Sequence, residues 1–357
     1  MNITINNKLV NDLEVKKSFL EKIFFINPFI INCKISKKII LVKLNKKITN
    51  ITKIKKDIRK LVLRTNLTNK FNKNKIFFQN NIEQKSNAAA KTFAKHDFIH
   101  HHCRNDLIER IKLMNLNPKL AIDLGCAIGS SSRFLAKNFK QCRILSVDLS
   151  KSMLIESRKK RSVLTRISEI QASAHSLPFT SNSIDLIFTN LLMPWIDDLP
   201  LFFTEINRVL KKNGLFIFST LGPDTLQNIK SIWNKIDDYE HVNPFIDMHI
   251  IGDLILKTGL SDPVLDAEKL TINYKNIDSF FADITNTGAR NSLRNRNHGL
   301  TSKQKINLFK TALNKCIKDS QLNIELELIY GHAWGNNLNS NPNEFSVNVS
   351  QIKKMPI

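Results

Sequence analysis

The stretch AIDLGCAIGSSSRFLA, residues 121–136, decides the fold of this chain. It predicts a buried strand, a tight turn and the start of a helix, because an apolar run ends in Asp123 and small residues follow. Gly125 and Gly129 let the backbone turn and lie close to a ligand, and Ser130 to Ser132 can cap the helix. A turn of this kind indicates that a ligand packs against bare backbone.

Strand and helix patterns alternate along the rest of the chain. Asp148 ends the second predicted strand, and Ser150 caps the helix that follows it. These repeats predict an α/β fold with a doubly wound, mostly parallel sheet and right-handed crossovers. The last strand alternates over a long run, which is typical of an antiparallel strand added to such a sheet. The seven predicted strands are Leu120–Ile122, Arg143–Asp148, Ile170–Ala174, Ile184–Asn190, Gly214–Thr220, Pro263–Leu265 and Ile324–Trp334.

Helical patterns fill the segments between the strands and come before the first of them. An apolar face at helical spacing predicts a helix ahead of the first strand, and a polar segment that contains several arginines separates the last two helices. The predicted helices are Asp97–Met114, one from Ser130, one from Ser150, one from Asp198 or Pro200 through Leu210, Ile251–Thr258 and Lys303–Ile317.

Composition divides the chain at about residue 86. The 357 residues carry a net charge of +23, of which residues 1–85 hold +15 and the other 272 residues +8. The first 85 residues are a monotonous mixture of Lys, Asn and Ile, which coding bias explains better than selection for a polyanion. We therefore expect a basic extension of unassigned structure at 1–85, an α/β domain at 86–335 with a helical insertion at about 270–320, a tail at 336–357, and no nucleic-acid partner.

Cysteines, apolar runs and histidines exclude several classes of protein. The five cysteines include no C-x-x-C pair, which indicates reduced thiols. The apolar run Ile23–Ile31 contains Asn27 and Pro28 and is too short to span a bilayer, so we expect a cytoplasmic protein with no membrane partner. His96 and the segment His100–Cys103 look like metal ligands, but no acidic partner recurs at a suitable spacing. We expect a polar helix surface there and no metal.

Two nucleotide ligands compete for the turn after the first strand. A dinucleotide fingerprint requires G-x-G-x-x-G, and the spacing of Gly125, Ala127 and Gly129 does not fit it. Asp123 suggests a ligand with a positively charged amino group. Asp148, 25 residues further on, can accept hydrogen bonds from both hydroxyls of a ribose. S-adenosylmethionine has both features and is the predicted cofactor.

Three features occur in a characteristic order and spacing: the turn, the VDLS strand end, and ASAHSLPF before IDLIFTN. In these features the chain resembles the class I S-adenosylmethionine-dependent methyltransferases. The resemblance implies a Rossmann-like fold. Ala127 stands where glycine is usual and Ser173 where aspartate is usual, and both predict weaker cofactor binding; the extra methyl of Ala127 is tolerated if φ is negative there. The cofactor residues that the resemblance implies are Asp123, Gly125, Ala127 and Gly129 around the methionine, Asp148 at the ribose, Leu149 and Met153 on the adenine, Ser173 and Ala174 at its amine, and Asn190.

Segments further along the chain carry a more specific resemblance. They are NAAAKTFAKHDFIHHHCRNDLIERI (87–111), FSTLGPDTL (218–226), HVNPFIDMHIIGD (241–253), GLSDPVLD (259–266), NTGARN (286–291) and ELIYGHAWG (327–335). With them, residues 86 to about 350 resemble the malonyl-[acyl-carrier protein] O-methyltransferases of biotin synthesis. The resemblance implies methylation of the free carboxylate of a malonyl thioester, whose acyl carrier protein is an acidic partner that suits a basic surface.

The implied reaction leaves the catalytic residues open. A carboxylate is already a nucleophile at neutral pH, so no general base is required. The substrate pocket has three candidates: Phe93, where this family commonly has tyrosine; Trp195, in TNLLMPW at the end of the fourth strand; and Arg290. An arginine can hold the malonyl carboxylate, and Arg294 and Arg296 are alternatives in the same insertion.

Other functions stay open on the sequence alone. TNLLMPW lacks the N-P-P-aromatic pattern of methyltransferases that act on bases or amides, which disfavours those substrates. The alternatives are methylation of another small molecule, such as a quinone ring, methylation of RNA through the basic extension, or a methyltransferase-like role in the assembly of respiratory complex I. The YGHAW segment argues against the assembly role.

Overall fold

The computed structural model describes residues 76, 77, 79–162, 164–315, 317, 318 and 321–336. They form one sheet with helices packed on both faces. The strands are β1 Leu120–Leu124, β2 Arg143–Asp148, β3 Ile167–Gln171, β4 Ile184–Asn190, β5 Leu210–Leu221, β6 Ser261–Tyr274, β7 Ile317–Lys318 and β8 Gln321–Trp334. The helices are α1 Gln79–Ala89, α2 Phe98–Lys112, α3 Ser130–Asn138, α4 Lys151–Lys160, α5 Leu199–Val209, α6 Gln227–Trp233, α7 Met248–Lys257, α8 Ile277–Asn286 and α9 Lys303–Asn314.

The parallel half of the sheet has the order β3-β2-β1-β4-β5. At its centre Ile122 of β1 pairs with Leu145 of β2 on one side and Ile187 of β4 on the other. Ile122 and Ile187 are fully buried, as expected for strands that are covered by helices on both faces. The strand order reverses between β1 and β4, and the crevice at such a switch point is where open α/β sheets bind ligands.

The antiparallel half completes the sheet. β8 lies between β5 and β6 and is antiparallel to both, which confirms the predicted fold class and the antiparallel last strand. Gly331 of the YGHAW segment pairs with Phe218, and a Cβ at position 331 would overlap the ring of Phe218. The glycine is therefore required for β8 to pack against β5. An eighth strand, the two-residue β7, pairs with β8 and was not predicted.

Three predicted strands differ most from the structure in their bounds. β3 ends at Gln171, opposite Asp148 of β2, so Ser173 and Ala174 follow the strand instead of ending it. β5 begins at Leu210, because that residue pairs with Ile184, and the segment 211–213 belongs to the strand. β6 extends to residue 274, much further than the predicted 263–265, because it pairs with β8 along most of its length.

The helices follow the predicted pattern with smaller differences. Asp198 caps α5, with its carboxylate accepting from the N–H of Leu201. α9 ends at Asn314 rather than at Ile317, because Ile317 pairs with Leu322 of β8. α1, α6 and α8 had no predicted counterpart. α1 crosses position 86, where composition places the start of the domain. The predicted domain limits, with the insertion that here contains α8 and α9, stay predictions.

Two hydrophobic cores lie on opposite faces of the sheet. On one face α2 and α3 pack through Leu107 and Leu135. On the other face α5 packs through Phe202 and Phe203, whose rings meet Phe216 of β5 with centroids 6.2 and 6.1 Å apart. All of these side chains are at most 1% exposed, so the sheet is a rigid platform for the loops at its edge.

Some predictions concern residues that the structure does not describe, namely the basic extension up to position 75, Cys33, Cys316 and most of the tail. Within the described ranges, no helix is both long and apolar enough to cross a membrane. The described cysteines, Cys103, Cys126 and Cys142, are buried free thiols, in agreement with the prediction of reduced thiols.

Candidate active site

A cavity of about 790 Å³ opens at the carboxyl edge of the parallel strands. Leu124, Asp148, Asn190 and Leu221, which end β1, β2, β4 and β5, all line it. The volume lies within the range of roughly 300–1,000 Å³ that small-molecule sites occupy. The cavity therefore combines the expected place in the fold with sufficient space for a nucleotide and a second ligand.

The turn after β1 has left-handed backbone at three positions. Gly125 has φ of +73° and donates its N–H to the carbonyl of Val147 at 2.8 Å. Gly129 has φ of +70°, and a Cβ there would overlap the side chain of Ser157 on α4. Ala127 has φ of +45°, so the condition on which its methyl was expected to be tolerated, a negative φ, is not met. An alanine in this region is strained, and glycine is favoured.

Asp148 is held at the cavity wall by backbone donors. Its Oδ2 accepts from the N–H of Ala127 at 2.9 Å, and its Oδ1 accepts from the N–H of Ser150 at 2.8 Å. Burial raises the pKa of Asp148, although these donors oppose the shift. A carboxylate has about four acceptor positions, so both oxygens can still accept from the hydroxyls of a ribose.

Asp123, the acidic residue near the end of β1, is buried. It is 1% exposed and does not line the cavity, because its carboxylate faces inward. The carboxylate accepts a hydrogen bond from the Ser132 hydroxyl at 2.5 Å, and that hydroxyl accepts one from the Ser146 hydroxyl at 2.6 Å. Burial raises the pKa of Asp123 to about 7. Gly129 also lies outside the cavity wall. Both residues shape the turn from behind, and their direct contact with the methionine stays a prediction.

The remaining predicted cofactor residues come together on one side of the cavity. Backbone atoms of the turn, an oriented carboxylate and two apolar side chains meet there. These groups suit, in turn, an amino acid, a ribose and an adenine. The residues present therefore fit S-adenosylmethionine. Those that line the cavity are Gly125, Ala127, Asp148, Leu149, Met153, Ser173, Ala174 and Asn190.

The three substrate candidates lie in the same cavity. Phe93 is 5% exposed, and Trp195 packs against Phe77 with ring centroids 6.1 Å apart. Arg290 is exposed at the cavity wall, and its guanidinium makes no hydrogen bond or ion pair with the described residues. Arg294 and Arg296 do not line the cavity, and they donate to the carbonyls of Phe77 and Asn297.

Sequence reasoning missed the elements that close the cavity near the three substrate candidates Phe93, Trp195 and Arg290. We call this part of the cavity the substrate side. Lys85 of α1 donates to the carbonyls of Arg290 and Asn291 and to the hydroxyl of Ser292, and His96 contacts Asp283 of α8 at 2.6 Å. These contacts join segments 187 to 207 residues apart. α1 is mostly polar and buries only Ala89, so no periodic apolar signal identified it.

The histidines that resembled metal ligands separate in the structure. His96 and His100 line the cavity, and Cys103 is fully buried, so the segment is not the polar surface expected. His102 does have acidic partners, since its ring, Asp106 at i+4 and Glu268 bring their ligand atoms within 4.8 Å. The hydroxyl of Tyr330 lies 2.9 Å from Asp106 and 3.2 Å from Glu268 and already satisfies part of this cluster.

Comparison with known proteins agrees with this geometry. A methyltransferase domain model matches residues 122–218, from β1 to β5. A malonyl-[acyl-carrier protein] O-methyltransferase of Legionella pneumophila is 34% identical over 70% of this chain and 90% of its own length. Another, from Coxiella burnetii, is 34% identical over 77% of this chain and 95% of its own length. The solved structure of the YcgJ protein from Bacillus subtilis, 18% identical, covers 66% of this chain and 99% of that one with a TM-score of 0.49.

These relatives and the cavity lead to one assignment. The domain match begins within β1 and includes the turn, Asp148 and Asn190. The match to this chain covers 90% and 95% of the lengths of the two relatives. The chain is thus an S-adenosylmethionine-dependent methyltransferase and belongs to the family of the malonyl-[acyl-carrier protein] O-methyltransferases.

Proposed function

We propose that this protein methylates the free carboxylate of malonyl-[acyl-carrier protein]. The product is a methyl ester, which fatty-acid elongation extends towards the pimeloyl unit of biotin. The observation that carries the proposal is the pair of relatives named for this activity, 34% identical over 90% and 95% of their lengths. Elongation enzymes accept apolar acyl chains, so removing the terminal charge makes the malonyl group resemble an ordinary acyl group.

The cavity provides positioning, which is most of what this reaction requires. The cofactor supplies an electrophilic methyl group on a sulfonium when it is bound. The malonyl carboxylate is ionised at neutral pH, so with the cofactor bound its oxygen would accept the methyl group, and the electron pair of the broken S–CH₃ bond would stay on sulfur. No proton moves in this step. Asp148 fixes the ribose, and apolar walls that include Trp195 and Phe280 exclude water.

Arg290 supports an anionic acceptor. Its guanidinium lines the cavity without a carboxylate partner among the described residues, so its charge is available to a ligand. An arginine can hold a carboxylate through two parallel hydrogen bonds and leave it ionised. Malonyl has such a carboxylate and acetyl does not, so Arg290 supports discrimination between the two.

Two observations support an acyl carrier protein as the bearer of the malonyl group: the names of the relatives and the charge of this chain. Residues 86–357 have a net charge of +8, and carrier proteins of fatty-acid synthesis are acidic. Complementary charge accelerates the encounter of two proteins more than it strengthens their complex. A carrier-bound substrate is therefore expected to react faster at low than at high ionic strength.

The test compares acceptors that differ by the carboxylate alone. The full-length protein is incubated with methyl-labelled S-adenosylmethionine and with malonyl- or acetyl-carrier protein, with malonyl-coenzyme A in a third reaction. We expect base-labile label on malonyl-carrier protein, none on acetyl-carrier protein, and slower labelling of malonyl-coenzyme A. Equal labelling of malonyl and acetyl, or of neither, contradicts the proposal.

A further inference from the structure

His100 lies where the cofactor and substrate sides of the cavity meet. Its ring lines the cavity and packs edge-on against Phe93, with centroids 5.0 Å apart and an interplanar angle of 61°. Asn190, at the end of β4, donates from Nδ2 to the carbonyl of His100 at 2.8 Å. The ring of His100 thus packs against a predicted substrate residue, and a predicted cofactor residue holds its backbone.

The imidazole of His100 is a neutral group with one unused donor. Burial, with a smaller contribution from the nearby charge of Arg104, lowers its pKa to about 4. Nδ1 is buried and has no hydrogen-bond partner in the described part of the chain. An N–H at Nδ1 would be buried without an acceptor, so the proton belongs on Nε2. Nε2 makes no hydrogen bond with a described residue either, which leaves its N–H for a ligand.

We propose that His100 binds the malonyl carboxylate, donating from Nε2 to one oxygen and leaving the other oxygen free to attack the methyl group. This inference rests on the proposed function and names a substrate-binding residue for it. A neutral donor suits the task, because it orients the carboxylate without neutralising the nucleophile. Arg290 would then attract the anion, and His100 would hold one of its oxygens in the pocket.

Three variants separate this role from a structural one. His100→Leu fills similar space without a donor, His100→Gln keeps an N–H donor, and His101→Leu changes the exposed neighbour on the same helix. We expect His100→Leu to raise KM for malonyl-carrier protein about tenfold, as for the loss of one hydrogen bond to a charged group, and to lower kcat by less than threefold. His100→Gln and His101→Leu should stay within threefold of the wild type in KM.

Calorimetry with S-adenosylhomocysteine provides the readout that is independent of turnover. Its Kd should change by less than twofold in all three variants, because His100 is assigned to the acceptor and not to the cofactor. The inference is wrong if KM for malonyl-carrier protein is unchanged in His100→Leu, or if KM rises equally in His100→Leu and His100→Gln. It is also wrong if S-adenosylhomocysteine binding weakens in parallel with the rise in KM. A wild type that does not methylate malonyl-carrier protein overturns the proposed function instead.

A measurement on the unmodified protein covers the case in which Leu at position 100 disturbs folding. Histidines labelled with ¹⁵N are observed by NMR with S-adenosylhomocysteine bound, and malonyl- or acetyl-pantetheine is then added. The Nε2 resonance of His100 is the one that is missing from the spectrum of His100→Gln. It should shift with malonyl-pantetheine and not with acetyl-pantetheine. A resonance that shifts equally with both, or with neither, contradicts a contact with the carboxylate.

Discussion

The cofactor side and the substrate side of the cavity are built in different ways. On the cofactor side, most residues are at or just after the end of a strand, and the contacts are short in sequence, such as Ala127 to Asp148. On the substrate side, the wall forms where α1 meets the insertion, as in the contact of Lys85 with the segment 290–292. The cofactor side therefore depends on local turn geometry, and the substrate side depends on docking between distant segments.

The largest expected effect lies on the cofactor side, at Asp148. Asp148→Asn removes the charge and one acceptor from a group that receives two backbone N–H donors and faces the cavity. We expect the Kd for S-adenosylhomocysteine to rise about 10- to 100-fold, because hydrogen bonds to a charged group are each worth roughly 1.5–3 kcal/mol. Calorimetry measures the change.

Asp185→Asn is the matched control. Asp185 also accepts two backbone N–H donors, from Lys119 and Leu120, at the start of β1 and far from the carboxyl edge of the sheet. Its substitution should leave the Kd within twofold. Equal weakening in both variants would indicate that Asp148 supports the turn without binding the cofactor.

The next effect lies on the substrate side, at Arg290. Arg290→Leu should raise KM for malonyl-carrier protein about tenfold and leave the Kd for S-adenosylhomocysteine unchanged, because the guanidinium has no structural partner among the described residues to lose. Arg143→Leu, at the exposed start of β2, removes the same charge away from the cavity. If both variants raise KM equally, the effect of Arg290 is general attraction of an acidic partner and not a contact in the pocket.

The difference between the cofactor side and the substrate side also explains which features could be predicted from the sequence. The strand ends and the turn are local patterns, so the fold, Asp148 and the residues after β3 and β4 could be predicted directly. Asp123 was expected at the ligand, but a residue that ends a strand can also face inward, and only the position of Ser132 decides which occurs. His100 and Lys85 could not be assigned, because their surroundings come from elements far away in sequence.

A smaller effect concerns the pH dependence of stability on the cofactor side. The pKa of Asp123 is raised to about 7 in the folded protein, against 3.8 in the unfolded chain. The folded state therefore binds more protons between pH 4 and 7, and its stability falls as the pH rises through this interval. Asp123→Asn cannot ionise, so it should be more stable than the wild type at pH 8 and similar to it at pH 4.

Denaturant unfolding at both pH values measures this difference, and Asp185→Asn should behave in the opposite way. Burial acts to raise the pKa of Asp185, but hydrogen bonds from Lys211 and from two backbone N–H groups outweigh it and lower the pKa. Its ionised form therefore stabilises the fold above pH 4, and the Asn variant should be less stable than the wild type at pH 8. A loss of stability in Asp123→Asn at pH 8 would show that the ionised carboxylate is needed by Ser132.

The smallest effect sharpens the account of the turn itself. Ala127 has φ of +45°, a conformation that costs an L-residue roughly 1–2 kcal/mol and glycine almost nothing. Ala127→Gly should raise the free energy of unfolding by roughly 0.5–1 kcal/mol, after the greater chain entropy of glycine is subtracted, and should preserve or tighten binding of S-adenosylhomocysteine. Ala136→Gly, within α3, should lower stability by a similar amount, because glycine is unfavourable inside a helix. If Ala127→Gly binds clearly more weakly by calorimetry, the alanine methyl contacts the cofactor and its strain is offset by that contact.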